Sequence, residues 1–298
     1  MAIAAEGVVL ETVSRRRRGL ASAGGSFVRR KPLGTIALLV LVAMTVVAIF
    51  AGRIAPYNPL AQNYDAVLQA PDLAHLMGTD NFGRDELSRI VYGARISLTV
   101  GLAAMFIGTG GGVVVGLLTG YFGGWFDLCV QRLMDAWIAF PVIIFALVIL
   151  VSLGQGLIQA MIAIGIVSIP ATSRVVRGTV LEKKEALYVD AARAMGGSDI
   201  RIMLLHILPN VASPIIVLAT LTLGRAILAE AVLSFLGVGI PPPQPAWGSM
   251  LSGVARSYFL SAPWLAIWPG VFISITVISW NVLGDTLRDI LDPRLRGV

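Results

Sequence analysis

Long stretches without a charged residue dominate the sequence and alternate with shorter polar segments. An α-helix needs about 20 mostly apolar residues to cross a bilayer. On that length the pattern predicts six spans, at residues 33–52, 96–126, 127–153, 157–173, 214–235 and 262–284. Because the runs are uninterrupted, they do not fit the alternation of apolar and polar positions that is typical of a membrane β-barrel. The sequence therefore predicts an all-α membrane protein.

Two of these stretches contain glycines at positions that affect the predicted structure. The uncharged run from residue 136 to residue 173 is too long for one span, and Gly154-Gln155-Gly156 divides it. In the second span a glycine recurs at every fourth position, at Gly108, Gly112, Gly116 and Gly120. This spacing places the four residues on one face of a helix. A second helix backbone can approach such a face closely.

Composition and charge agree with a membrane location. Of 298 residues, 56% are hydrophobic and 13% are charged, whereas soluble proteins carry about 25% charged residues. Lys and Arg are concentrated in residues 1–32, 174–201 and 285–298, and cytoplasmic segments of membrane proteins are enriched in these residues. We therefore expect both termini in the cytoplasm. The net charge of +6 is attributed to membrane orientation, and no nucleic-acid partner is expected.

The pattern divides the chain into four parts. They are a basic cytoplasmic tail (residues 1–32), the first span with an external segment (33–96), a five-span core that contains a cytoplasmic loop at about 178–210 (97–284), and a cytoplasmic tail (285–298). The first uncharged run is longer than the apolar region of about 7–15 residues in a signal peptide, so we expect an uncleaved span. The basic tail has two interpretations, a topology signal or a membrane-lipid binding segment.

One polar segment, from Tyr188 to Asn210, stands out in the core. Helix formers predict a first helix over 188–195, which Gly196-Gly197 ends because glycine accepts a left-handed conformation. Ser198 is a good N-cap for a second helix over 199–207, and Leu208-Pro209-Asn210 is expected to end that helix. The product is a helix–turn–helix on the cytoplasmic face of the membrane. An ordinary cytoplasmic loop is the alternative.

Five ionisable residues fall within the predicted spans, where charge is costly and often functional. They are Asp127, Arg132, Asp135, Arg225 and Glu230. Arg132 and Asp135 are three positions apart, so they share a helix face and can pair. Two interpretations remain open, charge pairing inside the bundle and a lining of the transport pathway.

A further charged group precedes the second span. Asp80, Arg84 and Asp85 belong to the predicted external segment. They are candidates for contact with a protein outside the membrane. An intramolecular polar cluster that folds the external segment is the alternative.

Motifs for chemistry are missing from the sequence. We find no phosphate-binding Walker A sequence, no His-Glu-x-x-His zinc helix and no Gly-x-Ser-x-Gly nucleophile turn. Cys129 is the single cysteine, which leaves no intramolecular disulfide and no thiolate metal site. We therefore expect no enzyme activity, no metal site and no cofactor in this chain. Two rivals to a passive membrane subunit are an intramembrane enzyme and a proton-coupled transporter that uses Asp127, Asp135 or Glu230.

The polar segment also carries a family resemblance. The pattern Asp190-Ala191-Ala192, Gly196 and Leu208-Pro209 resembles the EAA coupling loop in permease subunits of binding-protein-dependent ABC importers. The family usually has Glu at the first position, where this chain has Asp190, and the charge is kept. His206, in the sequence H-I-L-P-N, resembles the peptide-importer branch of the family.

The resemblance extends over most of residues 33–296. Similar segments lie at residues 75–98, 120–135, 230–237 and 284–294, in the order found in that branch. The chain thus resembles the C-type permease of a dipeptide or oligopeptide importer, with nickel or glutathione importers as alternatives.

The resemblance implies a type I importer architecture in a bacterial inner membrane. It implies a paralogous permease as partner, two cytoplasmic ATPases that hold ATP and Mg, and an external substrate-binding protein. The coupling role falls on Asp190, Ala191, Ala192 and Gly196, with His206 and Pro209 at the return into the bilayer.

Overall fold

The computed structural model describes residues 31–291, and in that range the chain is almost entirely helical. Five helical runs are long and apolar enough to cross a membrane: Pro32–Ile49, Glu86–Phe122, Leu157–Lys183, Asp199–Phe235 and Trp264–Leu291. Counted as one broken span, Gly124–Ile138 and Val142–Leu153 bring the number to six, as the hydrophobic pattern predicts. No β-strand occurs among the described residues. Apart from Lys31 and Pro32, the predicted basic tail lies outside the described range, as do residues 292–298.

The α-helices are numbered in chain order. They are α1 (Pro32–Ile49), α2 (Ala51–Ile54), α3 (Glu86–Phe122), α4 (Gly124–Ile138), α5 (Val142–Leu153), α6 (Leu157–Lys183), α7 (Leu187–Ala194), α8 (Asp199–Arg201), α9 (Ala212–Phe235), α10 (Trp247–Met250), α11 (Val254–Ser257) and α12 (Trp264–Leu291). A π-helix (Ile202–Ile207) and a 3-10 helix (Leu208–Val211) connect α8 to α9, and a 3-10 turn (Tyr64–Ala66) lies in the external segment.

The closest packing in the bundle joins α3 to α6 along the glycine face. A Cβ atom added to Gly108 would lie 2.6 Å from the Cβ of Ser168, and one added to Gly116 would lie 2.6 Å from the carbonyl oxygen of Ser173. Real Cβ atoms do not approach other atoms this closely. The predicted close approach of a second helix is thus confirmed, and α6 is that helix.

Three helices continue beyond the uncharged stretches that predict them. α3 begins at Glu86 rather than at residue 96, α6 ends at Lys183 rather than at 173, and α12 ends at Leu291 rather than at 284. A charged residue marks where a helix leaves the hydrocarbon, but it does not interrupt the backbone hydrogen bonds. The domain boundaries predicted at residues 96 and 284 therefore fall inside helices.

α3 is longer than a bilayer is thick. Its 37 residues span about 55 Å, compared with about 30 Å for a hydrocarbon core. The helix begins with a side-chain cap, since the carboxylate of Asp85 accepts a hydrogen bond from the Ser88 N–H at 2.8 Å. Such a cap satisfies a backbone donor that the first helical turn leaves free. The polar start of α3 consequently belongs to the external segment.

The third span is broken, whereas the sequence predicted one helix over 127–153. α4 ends at Ile138, Pro141 is the N-cap of α5, and the two helices meet at 93°. Proline lacks a backbone N–H and disfavours helical conformation in the preceding residue. We attribute the break to Pro141. The span was predicted from hydrophobicity, which takes no account of this proline.

Pro209 does not interrupt the helical path of the chain, in contrast to Pro141. Leu208-Pro209-Asn210 was predicted to end the second short helix, but the chain stays helical from Asp199 to Phe235, and that prediction is wrong. Pro209 is at the second position of the 3-10 helix Leu208–Val211. A missing N–H is tolerated there because the first turn of a helix has no intrahelical partner for it. The π-helix immediately before it shifts the hydrogen-bond register.

The glycine contact yields a prediction with an internal control. Gly112→Ala should lower the free energy of unfolding by about 1–3 kcal/mol, because overpacking at the contact with Thr172 forces a shift of backbone or side chain. Gly110→Ala, on the exposed side of the same helix with open space around it, should be neutral or stabilising by up to about 1 kcal/mol. Thermal unfolding of both variants in detergent checks this. Equal melting temperatures for the two variants would contradict the account.

Candidate functional site

The cytoplasmic loop between α6 and α9 is folded against the ends of two spans. α7 buries Val189 and Ala192, which are 0% and 4% exposed. They join a hydrophobic cluster whose other fully buried members are Val180, Ile202, Ile207 and Val211. Of the predicted coupling residues, Ala192 therefore faces the protein's own core, while Asp190 and Ala191 are exposed.

The turn after α7 forms as the sequence predicts. Gly196 has φ of +78°, a conformation that residues with a Cβ rarely adopt. The N–H of Gly197 donates to the carbonyl of Ala192 at 3.0 Å and satisfies a free acceptor of the last helical turn. Ser198 lies at the predicted N-cap position of α8, but its side chain makes no capping hydrogen bond.

A hydrogen bond between distant residues fixes this loop to the end of α3. The Tyr121 hydroxyl donates to Asp199 Oδ1 at 2.5 Å. The Arg193 guanidinium lies 6.0 Å from the centre of the Tyr121 ring, and Arg193 also pairs with Asp190 at 3.2 Å. The contact between Tyr121 and Asp199 was not predicted from the sequence, because the two residues are 78 positions apart.

His206 and Pro209 lie where the chain turns back toward the membrane. The carbonyl of His206 accepts a hydrogen bond from Asn210 Nδ2 at 2.6 Å. We find no hydrogen bond from residues 31–291 to the His206 ring. Both residues belong to the π and 3-10 segments, so their contribution here is to the backbone path between loop and span.

The outer surface of the loop carries exposed apolar side chains that the sequence reasoning did not single out. Leu187 is 86% exposed, Met195 is 81% exposed and Ile200 is 67% exposed. We call these three residues the loop patch. They flank the small residues on which the family pattern is centred. Their exposure shows only in the structure, because many residues of a membrane protein are apolar and the sequence does not indicate which of them the folded chain leaves uncovered.

The charges of the third span pair with α6. Arg177 donates to both carboxylate oxygens of Asp127 at 2.5 Å. Arg174 donates to Asp135 at 2.6 Å, and the predicted pair of Arg132 with Asp135 is present at 3.7 Å with both side chains exposed. The contacts of Arg177 and Arg174 fit the interpretation of charge pairing within the protein, and they attach the broken span to α6.

Glu230 is in a different setting. It is 1% exposed and accepts hydrogen bonds from Ser97 at 3.0 Å and from Ser234 at 2.7 Å. No hydrogen bond in the described part of the chain links Glu230 to Asp127 or Asp135.

Arg225 differs from the other charged residues of the spans. It lies ten residues before the end of α9, which places it about 15 Å along the axis and near the middle of a bilayer. The side chain is exposed on the surface of the bundle. Among residues 31–291 we find no carboxylate within ion-pair distance of it. A charge at that depth requires water or a partner from outside the described residues.

The external group forms an intramolecular cluster. Arg84 donates to Asp80 at 2.6 Å, and Asp85 contacts His75 at 2.9 Å while it caps α3. Asp80, Arg84 and Asp85 are 4%, 9% and 3% exposed. The structure therefore agrees with the alternative that these residues fold the external segment, and it leaves them little surface for a docking protein.

Two family profiles match the chain. The family described as binding-protein-dependent transport system inner membrane component matches residues 112–297. The N-terminal TM domain of oligopeptide transport permease C matches residues 28–71.

The chain is also similar to curated proteins from enteric bacteria. Two of them are the glutathione transport system permease protein GsiD of Escherichia coli O6:K15:H31 (strain 536 / UPEC) and that of Shigella boydii serotype 4 (strain Sb227). Each is 44% identical over 272 residues, which cover 90% of this chain and 89% of the relative.

Among solved structures, the fold is similar to inward-facing conformations of the MetNI methionine ABC transporter. Two crystal forms match with TM-scores of 0.56 and 0.55, both at 20% sequence identity. The matches cover 68% and 69% of this chain and 96% and 97% of the other. At this identity the similarity concerns the fold.

Proposed function

The chain belongs to the family of binding-protein-dependent transport system inner membrane components, and we propose that its cytoplasmic loop couples ATP hydrolysis on partner subunits to the import of short peptides. The chain is a multi-pass inner-membrane permease subunit of an ABC importer. The observation that carries the coupling proposal is the two-sided character of the loop. Val189 and Ala192 are packed on the spans, whereas the side chains of the loop patch are exposed.

The outer face of the loop fits a groove on another protein. Exposed apolar side chains on a polar segment mark interaction surfaces when they are grouped. Leu187, Met195 and Ile200 supply this character, and the small side chain of Ala191 lets a partner surface come close. Asp190, whose side chain is 61% exposed, adds a negative charge at the start of α7. A cytoplasmic ATPase that carries ATP and Mg is the proposed occupant.

The inner face of the loop supports transmission of force. Val189 and Ala192 pack with the ends of α3 and α6, and the Tyr121–Asp199 hydrogen bond adds a polar link. Packed interiors respond to displacement by switching between discrete arrangements rather than by deforming continuously. A pull on α7 would therefore move α3 and α6 together. Two ATPases, a paralogous permease and an external binding protein complete the proposed assembly.

Arg225 is the proposed contact between this chain and the substrate in the pathway. An arginine at mid-membrane depth needs water or a negative partner, and a substrate pathway at the interface with the proposed second permease would supply one. Its guanidinium can hold a carboxylate through two parallel hydrogen bonds. A peptide, glutathione included, carries a carboxylate, whereas a bare nickel ion would be repelled by this charge. Arg225 thus favours the peptide and glutathione alternatives over nickel.

The loop patch supplies the direct test of coupling. The double variant Met195→Ser, Ile200→Ser should lower the ATP hydrolysis stimulated by substrate and binding protein at least tenfold in the reconstituted importer, because it removes the apolar contacts to the ATPase. Membrane insertion and pairing with the second permease should persist. Leu73→Ser, at a side chain 97% exposed in the external segment, is the matched control. Stimulated hydrolysis at the unmodified rate in the double variant would reject the coupling proposal.

Replacement of Arg225 tests the pathway assignment. Arg225→Met should reduce glutathione uptake into proteoliposomes at least tenfold, and Arg225→Lys should retain a larger fraction because it keeps the charge while it loses the two-pronged geometry. Arg132→Met is the control, since Arg132 is 77% exposed and only weakly paired. Equal uptake by Arg225→Met and the unmodified chain would place the pathway elsewhere.

A further inference from the structure

A cavity of about 380 Å³ lies on the external side of the protein, between the segment from Gln62 to Arg89 and the region from Pro242 to Leu265. We call it the external cavity. Sites for small molecules have volumes of about 300–1,000 Å³, so the external cavity is large enough for a compact ligand. Its two walls are held together by a hydrogen bond from Trp264 Nε1 to the carbonyl oxygen of Thr79 at 3.2 Å.

Two acceptor atoms at the external cavity are left without donors. Glu86 is 2% exposed and lines the cavity, and its Oε1 atom is buried without a hydrogen-bond partner in the described part of the chain. The Oδ1 atom of Asn81, another lining residue, is also buried and unpartnered within that range. An unsatisfied buried acceptor costs about 1–3 kcal/mol, and burial raises the pKa of Glu86 to about 8. A ligand that brings N–H donors would remove that cost.

The same wall also holds positive charge. Arg84 and Arg89 both line the external cavity, and both approach Asp80, at 2.6 and 3.6 Å. A further N–H of Arg89 donates to the carbonyl of Pro59 at 3.3 Å. Each guanidinium carries five N–H donors, so one shared carboxylate does not use their capacity. Donors for a negative group and acceptors for a positive group therefore occur together in one cavity.

We propose that the external cavity binds a small zwitterionic amino compound, a free amino acid or a short peptide, whose ammonium group is held by Glu86 and Asn81 and whose carboxylate is held by Arg84 and Arg89. An ammonium group brings three N–H donors, which satisfies both unpartnered acceptors. The carboxylate uses the remaining guanidinium donors in charge-assisted hydrogen bonds. Because all four proposed contact residues lie between Asn81 and Arg89, the site requires neither the loop patch nor Arg225.

The experiment uses the full chain in lipid nanodiscs and ligand-observed saturation-transfer NMR. The probes are L-alanyl-L-alanine and N-acetyl-L-alanyl-L-alanine at equal concentration. The free dipeptide should bind, and acetylation should weaken binding at least tenfold because it removes the ammonium group. This comparison needs no substitution, so it remains decisive even if a variant fails to fold.

Variants then locate the binding. Glu86→Gln keeps the size of the side chain and should weaken binding of the free dipeptide at least tenfold, whereas Asp65→Asn, at an exposed carboxylate of the same segment, should leave it unchanged. No binding of either dipeptide, equal binding of both, or undiminished binding by a folded Glu86→Gln variant would overturn the proposal.

Discussion

The close contact between α3 and α6 is the constraint on which the rest of the structure depends. A stripe of glycines on α3 lets the backbone of α6 lie against it, and Gly165 on α6 returns the contact, since a Cβ there would lie 2.6 Å from the Cβ of Ile107. Both helices continue toward the loop, and the glycine contact determines the distance between them. Tyr121 at the end of α3 and Val180 at the end of α6 can therefore share one hydrophobic cluster with the loop. The loop is thereby joined to two spans at once, which is the arrangement that the proposed transmission of force requires.

The charged residues of the membrane domain differ in whether they have a partner within the described part of the chain. Asp127 and Asp135 attach the broken third span to arginines of α6, and Glu230 is satisfied by two serines. These groups are already matched within the chain, so they need nothing from outside. Arg225 is the one among the five predicted intramembrane charges that is both exposed and without an ion pair in residues 31–291. The assignment of a substrate contact to Arg225 rests on this difference rather than on its charge alone.

The spans and the position of the cytoplasmic loop were predicted from the sequence more accurately than the contacts between residues. Apolar runs and the positions of charge are local features of the sequence, and they were sufficient to predict six crossings. The turn at Gly196 was also predictable, because it depends on the residue type at that position. Helix ends were not, because a charge such as Arg174 leaves the hydrocarbon without ending the helix. The effect of a proline was also not predictable from the sequence alone. Pro141 breaks a span, whereas Pro209 lies in a 3-10 helix and the chain remains helical. The loop patch and the Tyr121–Asp199 bond were invisible because they depend on which face the folded chain turns inward.

The central claim is that the outer face of the cytoplasmic loop meets an ATPase. A photo-activated cross-linking amino acid placed at Met195, in the assembled importer within native membranes, tests it directly. The account predicts that irradiation joins this chain to an ATPase subunit, identified by mass spectrometry, and that the same group at Leu73 gives no such product. An active importer in which Met195 cross-links to lipid or to the second permease, and never to an ATPase, would contradict it.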